Sequence, residues 1–166
     1  MTNAKSITLP TSIFFLIAIL IFLIDQITKI MVRSSIKQGT SLKIIPNILY
    51  FSHTTNTGAS FSLFTSFSTI LTIIAILVVI AMIIFYKKIP DNYKLPFALI
   101  LGGTLGNLTD RLIFGTVTDF IDFRVWPIFN GADSAITIAA ILLIIISWKE
   151  ERGEKEKRIT RYPSNA

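Results

Sequence analysis

The chain contains no cysteine and a single histidine, His53. Disulfides, a thiolate nucleophile, iron–sulfur clusters and thiolate metal sites are therefore excluded. A zinc site built on paired histidines, including the H-E-x-x-H arrangement, is excluded as well. Charge is also scarce: Asp, Glu, Lys and Arg make up 16% of the 166 residues, against roughly 25% in an ordinary soluble domain. Apolar residues make up 52%, and mean hydropathy is +0.66. A water-soluble fold of this size would have to leave a large apolar surface bare, and a disordered chain would be poor in apolar residues. The composition that remains is that of a single-domain membrane protein.

Four apolar stretches fit that class, at about residues 12–32, 67–86, 95–113 and 132–148. The second, Phe67 to Tyr86, is 20 residues without a charge. As a helix it is about 30 Å long, the thickness of a hydrocarbon core. Many of these residues are β-branched and suit a helix in water poorly, but in lipid the backbone must satisfy its own hydrogen bonds, so helix is the expected state. The sequence thus predicts an all-α integral membrane protein with four transmembrane helices. Lys5 followed by an apolar run is also how a signal peptide begins. The run ends in Asp25-Gln26 rather than in small residues suited to cleavage, so a retained first span is expected.

Orientation follows from Lys and Arg. With four spans, the N-terminus, the 87–94 loop and the C-terminal tail share one side and hold ten of these residues; Arg33, Lys37, Lys43 and Arg124 on the other side make four. The bias places both termini in the cytoplasm and turns the 34–65 and 114–131 loops outward. Residues 1–150 then form one four-helix unit, and 151–166 a charged cytoplasmic tail. The formal charge of +6 is explained by orientation, and nucleic acid is not an expected partner. Within the first outward loop, Leu42 to Phe51 reads as strand, turn, strand, with Pro46-Asn47 as the turn. A small β-rich element between helices 1 and 2, resting on the membrane surface, is expected.

Ionisable residues inside spans cost about 2.5–3.5 kcal/mol each on insertion scales, so their placement asks for a reason. Here they converge at one depth. Asp25 lies in the outer half of span 1, with Lys29 one turn further on the same face. Asn107, Asp110 and Arg111 occupy the outer end of span 3. Asp119 follows the turn after span 3, and Asp133 opens span 4. Antiparallel neighbouring helices bring these two carboxylates within reach of each other. Close together at low dielectric they cannot easily both ionise, so the pair holds one acid and one base, the equipment for water attack on an amide. Each residue also has a plainer reading. Asp133 suits an N-terminal helix cap, Asp119 has a rival in Asp122, Asp25–Lys29 is a natural structural ion pair, and Arg111 can snorkel to the interface. Asn56-Thr57-Gly58 reads as turn chemistry, and His53 as a loop residue.

Five motifs stand in order: Asp25-Gln26-Ile27-Thr28-Lys29, Asn56-Thr57-Gly58-Ala59-Ser60-Phe61, Gly106-Asn107-Leu108-Thr109-Asp110-Arg111, Val117-Thr118-Asp119-Phe120-Ile121-Asp122 and Phe129-Asn130-Gly131-Ala132-Asp133-Ser134. Together, from about Ile13 to Trp148, they resemble the lipoprotein signal peptidases (signal peptidase II, prolipoprotein signal peptidase), aspartyl endopeptidases of the bacterial cell membrane. The resemblance implies that Asp119 and Asp133 are the catalytic pair. It implies supporting or substrate-binding roles for Asp25, Asn56, Asn107, Arg111 and Asn130, with Lys29, Gly58, Asp110 and Ala132 beside them. It implies neither cofactor nor metal. The expected substrate is a prolipoprotein carrying diacylglycerol on its cysteine, cut on the amino side of that cysteine near the outer membrane face. The expected partners are these precursors and membrane lipids, with the chain itself a monomer. Three positions depart from the family pattern: Gly131 in place of a branched aliphatic residue, Thr118 where Val is frequent, and Thr55 where a larger, often basic residue is common.

The rival from another class is a small four-helix transporter or channel subunit that uses the same polar residues as an ion path. Such a path should cross the membrane, yet the inner halves of the spans carry no ionisable residue. A rhomboid-like serine protease is a poorer fit still, because Gly58-Ala59-Ser60-Phe61 lacks the terminal glycine of a G-x-S-G turn.

Overall fold

The computed structural model describes residues 10–58 and 65–161, with side chains placed in 10–58 and 68–155. In chain order the elements are α1 (Thr11–Ser35), β1 (Ser41–Ile45), β2 (Leu49–Asn56), α2 (Thr65–Phe85), α3 (Lys94–Phe114), β3 (Val117–Asp122) and α4 (Gly131–Arg161). Two 3-10 turns, Tyr86–Lys88 and Asp91–Tyr93, join α2 to α3. Successive helices run in alternating directions. At one end Phe14, near the start of α1, stacks on Tyr86 with ring centroids 6.3 Å apart. There too Asn92 and Tyr93 donate to the Glu150 carboxylate of α4, at 2.5 and 2.7 Å. The sheet lies at the opposite end.

Among the described residues, three helices are long and apolar enough to cross a membrane: Thr11–Ser35, Ser68–Lys88 and Gly131–Lys155. Their outer faces are rows of exposed aliphatic side chains, such as Leu20, Leu23, Ile24 and Ile27 on α1 and Ile73, Leu77, Ile80 and Ile84 on α2. Such continuous apolar faces suit lipid, not water. Helix α3 differs because it packs against all three of the others. A helix enclosed by protein needs no lipid-facing surface, so it can carry Asn107, Asp110 and Arg111. It can also carry glycines where backbones meet. A Cβ built on Gly102 would lie 2.5 Å from the Ala18 carbonyl oxygen, and one on Gly103 would lie 2.7 Å from that of Ala132. Small residues permit this closeness. Gly102→Ala is expected to destabilise the bundle by about 1–3 kcal/mol, the usual cost of overpacking, read as a lowered thermal midpoint in detergent. A midpoint equal to the parent's would contradict the close approach of α1 and α3.

The strands form one antiparallel sheet in the order β1-β2-β3. The β1–β2 turn is where Pro46-Asn47 places it, with Asn47 in the left-handed region at φ 62°. Across β2 and β3, Thr54 pairs with Asp119, Thr55 with Thr118 and Asn56 with Val117. Strand β1 is exposed throughout, whereas β3 is almost wholly buried.

Several expectations need correction. The β element does not belong only to the loop between helices 1 and 2, because its third strand comes from 114–131. Val117–Asp122 is covered on both faces, so it lacks the polar–apolar alternation that marks a half-buried strand. His53 is not in a loop: it lies on β2, buried, with Nδ1 2.7 Å from the Ile36 carbonyl oxygen. Helix α4 runs on beyond the apolar stretch to Arg161, with Lys155 paired to Glu151 one turn back at 2.7 Å. Lys5, the Ala59-Ser60-Phe61 part of the second motif and the last five residues lie outside the described residues.

Candidate active site

The end of the bundle that carries the sheet gathers every polar residue singled out in the spans. The order begins at the start of α4. Asn130 precedes the helix, and its side-chain Oδ1 accepts the Asp133 backbone N–H at 2.9 Å. The Asp133 carboxylate in turn accepts the Asn130 backbone N–H at 3.3 Å. This reciprocal pair is a capping box with Asp in the third helical position. Asp133 thus does cap α4, as its plainer reading has it. The cap leaves Asp133 Oδ1 free to accept from Asn107 Nδ2 at 2.8 Å.

The residue before the cap, Phe129, pairs with Ile121 of β3. Its carbonyl oxygen accepts the backbone N–H groups of Phe120 and Ile121 at 3.0 and 2.8 Å. This bridge brings Asn130 to β3. Asn130 Nδ2 donates to Asp119 Oδ1 at 2.6 Å and to Asn107 Oδ1 at 3.2 Å. Asn130 therefore binds both aspartates, one through its amide N–H and the other through its amide oxygen and backbone.

Asp119 Oδ2 accepts from Asn56 Nδ2 at 2.9 Å. The Asn56 amide is oriented by a turn: its Oδ1 accepts the Gly58 backbone N–H at 2.7 Å, and Gly58 sits at φ 83°. A side chain at residue 58 would be strained there and would also collide with Leu71. Turn chemistry and a site role thus coexist at Asn56-Thr57-Gly58.

Asp119 is 2% exposed. Burial pushes its carboxyl up, the Asn56 hydrogen bond opposes this, and the nearby Asp133 charge adds to it; the result is about 6, against an ordinary 3.8. Asp122 is three positions on, so it lies on the opposite face of the strand. Burial there is outweighed by hydrogen bonds from Ser52 and the Arg124 backbone and by the Arg124 charge, which hold it below the usual range. Ser52 Oγ and the Arg124 N–H reach it at 2.7 and 2.8 Å. Asp122 is thus built into the sheet and turned away from Asp133.

Beneath this layer lies a buried ion network. Lys29 Nζ is 2.8 Å from Asp25 Oδ2 and 3.5 Å from Asp110 Oδ2, with all three side chains fully buried. It also donates to Asn107 Oδ1 at 2.9 Å, which turns the Asn107 amide N–H toward Asp133. Asp25 Oδ1 accepts the Ala132 backbone N–H at 2.8 Å, fixing the first turn of α4 to α1. Asp110 Oδ2 accepts the Thr118 backbone N–H at 2.9 Å, fixing β3 to α3. Arg111 is half-buried, its Nε has no hydrogen-bond partner, and its electrostatic neighbours are Asp133, Asp119 and Asp110.

All eleven residues expected at a site, Asp25, Lys29, Asn56, Gly58, Asn107, Asp110, Arg111, Asp119, Asn130, Ala132 and Asp133, therefore meet at one end of the bundle. The sequence reading passed over Gln26, Arg33 and Thr118. Gln26 Nε2 donates to the Gly106 carbonyl oxygen at 3.0 Å. Arg33 continues the i, i+4 ladder from Asp25 through Lys29, a signal that could have located it. Among the described residues, no group of His, Asp or Glu side chains is arranged to hold a metal ion.

The arrangement ties two carboxylates to one asparagine in a largely buried layer, with the Asp119 carboxyl raised to about 6. Residues 17–149 match the family model of signal peptidase (SPase) II. The chain is 36% identical over 140 residues to the lipoprotein signal peptidase of Halothermothrix orenii, covering 83% of this chain and 97% of that one. It is 40% identical over 133 residues to that of Moorella thermoacetica, covering 78% and 89%. A bacterial membrane enzyme solved by the in meso method at 2.3 Å resolution superposes with a TM-score of 0.79 at 35% identity, covering 88% of this chain and 93% of that one.

Proposed function

From the premise that the chain belongs to the signal peptidase II family, we propose that Asp119 and Asp133 are its catalytic pair. The protein is an aspartic-type membrane peptidase that removes signal peptides from prolipoproteins. The observation that carries the residue assignment is Asn130, a single side chain that hydrogen-bonds Asp119 and caps α4 at Asp133. Asp119, buried and raised to about 6, holds the shared proton. Asp133 lies in the first turn of α4, where negative charge suits the helix dipole, and acts as the base. With one proton between them the two aspartates carry a single negative charge, which Arg111 balances.

In the reaction Asp133 takes a proton from water, and the water oxygen bonds to the scissile carbonyl carbon. Asp119 gives its proton to the carbonyl oxygen. The tetrahedral intermediate then collapses: Asp133 passes its proton to the leaving amine as the C–N bond breaks, and a hydroxyl of the intermediate returns its proton to Asp119. Asn56 and Asn130 hold the Asp119 carboxyl by one oxygen each, and Asn107 and the Asn130 backbone do the same for Asp133; the second lone pair of each oxygen serves water and substrate. The leaving amine belongs to the lipidated cysteine, so cleavage falls on its amino side.

Helix α3 counts as a fourth span because it is as long as α2 and enclosed by the others. Both termini then lie in the cytoplasm of a bacterial cell, and the pair lies near the outer face. The unit 1–150 is the protease and 151–166 its charged tail, acting as a monomer among membrane lipids. The sheet's exposed apolar residues, Leu42, Ile44, Ile45 and Ile48 with Val125 and Trp126 beyond β3, support a sheet that rests on the bilayer surface.

Purified chain incubated with lipidated and unlipidated precursor is expected to shorten the first far faster. Equal rates would contradict recognition of the lipid. An ion path is not favoured, and flux through proteoliposomes would be needed to revive it.

The pH dependence follows from Asp119. Its carboxyl is protonated below about 6, so the acid is lost as pH rises through that value. The expected kcat/KM falls on the alkaline side with a midpoint near pH 6. A flat profile between pH 5 and 7 would remove Asp119 from the proton-holding role. The stability linkage has the same sign. Because the folded value lies above the unfolded one, the native state is relieved of a buried charge as pH drops from above 6 toward 3.8.

A further inference from the structure

We propose that Arg33 and Thr118 are positioning residues that set the height of Asp119, an assignment that rests on Asp119 being catalytic. Neither is among the residues to which the resemblance assigns a role. Arg33 Nη1 donates to Thr118 Oγ1 at 2.9 Å and lies 3.3 and 3.5 Å from the two Asp110 carboxylate oxygens. Asp110 in turn accepts the Thr118 backbone N–H at 2.9 Å. The three groups close a ring across α1, α3 and β3. Asp110 and Thr118 are 0% and 3% exposed, and the Arg33 guanidinium lies over the Phe114 ring, 4.6 Å from its centroid. Phe114 thus covers one face of the guanidinium.

Consecutive strand residues point to opposite faces. Thr118 therefore faces the clamp while Asp119 faces Asn56, Asn130 and Asp133. Holding Thr118 by both its N–H and its hydroxyl fixes the strand at the one position from which Asp119 reaches its partners. The strand pairs with β2 from Val117 to Asp122 and with Phe129 at Ile121, and at residue 118 the clamp ties it to the helices. Charge supports the same role. Asp25 and Asp110 are balanced by Lys29 and Arg33, which leaves Arg111 to the Asp119–Asp133 pair. Without Arg33 the Asp110 charge would draw more strongly on Lys29, which also holds Asn107 toward Asp133.

The test uses the full chain, purified in detergent, with lipidated precursor. Thr118→Val keeps the shape and the backbone N–H but removes the hydroxyl; Thr118→Ser restores it. Thr118→Val is expected to lower kcat about five- to tenfold with KM within about twofold, because small misplacement of a reacting group costs rate and not binding. Thr118→Ser is expected to match the parent. Arg33→Met is expected to lower kcat at least as much, and the double variant no further than Arg33→Met, since both changes remove one hydrogen bond. All rates are taken well below each variant's thermal midpoint. Parent-like kcat in Thr118→Val, equal impairment of Thr118→Ser and Thr118→Val, or an effect confined to KM would each overturn the proposal. Asp119→Asn run beside them separates the two ideas. If it retains parent activity the catalytic reading fails; if it is inert while Thr118→Val is unimpaired, only the clamp fails.

Discussion

Asp119→Asn and Asp133→Asn, each made alone, are expected to lower cleavage of lipidated precursor by a factor of about 10²–10⁴ or more, the range for losing a positioned acid or base. Asparagine keeps the size of the side chain but can neither hold a transferable proton near neutral pH nor accept one from water. Local hydrogen bonding makes the two changes unequal. Asp119 receives two amide N–H groups, from Asn56 at 2.9 Å and Asn130 at 2.6 Å. An amide at 119 would set its own N–H₂ against one of these donors, so this variant also loosens the site. Asp133 receives Asn107 on one oxygen and the Asn130 backbone on the other, so an amide there weakens the cap as well. Helix content and thermal midpoint in the same detergent separate loss of chemistry from loss of fold. A well-folded variant of either kind that still processes precursor near the parent rate would end the assignment of the pair.

Lys29→Met is expected to be the most destabilising single change in the ion network, by about 3–5 kcal/mol, the cost of leaving a buried charge without its partner. Lys29 is the only cation within 4 Å of Asp25 among the described residues, and it lies 3.5 Å from Asp110. Methionine would fill the space, strand the Asp25 charge and leave Asp110 to Arg33. The origin of the cost can be checked by a cycle. Asp25→Asn added to Lys29→Met removes one stranded charge, so the double variant should be more stable than Lys29→Met alone. Unfolding in detergent monitored by helix signal gives both numbers. A Lys29→Met protein within about 1 kcal/mol of the parent would mean that the network is wetter than its burial implies.

The two predictions draw on different kinds of information. That Asp25 and Lys29 form a pair is legible in the sequence, because an i, i+4 spacing on a helix decides it without reference to the rest of the chain. That the pair also holds Asn107 and the first turn of α4 is not legible, since Ala132 lies 107 residues from Asp25. Asp133 shows the same division. Its place at the start of an apolar run suggests a cap, and the cap is there. Its hydrogen bond with Asn107 and its link through Asn130 to Asp119 depend on how the helices and the third strand close upon one another.

At Asp119 spacing stops deciding. Spacing alone left Asp119 and Asp122 as equals in what looked like a loop. The segment is a strand, so their odd separation puts them on opposite faces, one toward Asp133 and the other toward Ser52 and Arg124. Nothing in the local hydropathy announces that strand, since helices cover it on one side and Phe129 borders its edge. The same burial hides Arg33 and Thr118, whose side chains meet 85 positions apart.

The amino-acid order by itself determined that this chain lives in a membrane, where its apolar helices run, and where the β1–β2 turn falls. Each of these depends on hydropathy or backbone preference over a few neighbouring residues. Only the tertiary structure decided that α3 is the enclosed helix, that a third strand completes the sheet, and that Asn130 joins the two aspartates. These depend on hydrogen bonds between groups far apart in the chain, and in a water-poor interior a polar group must find such a partner wherever the fold supplies it.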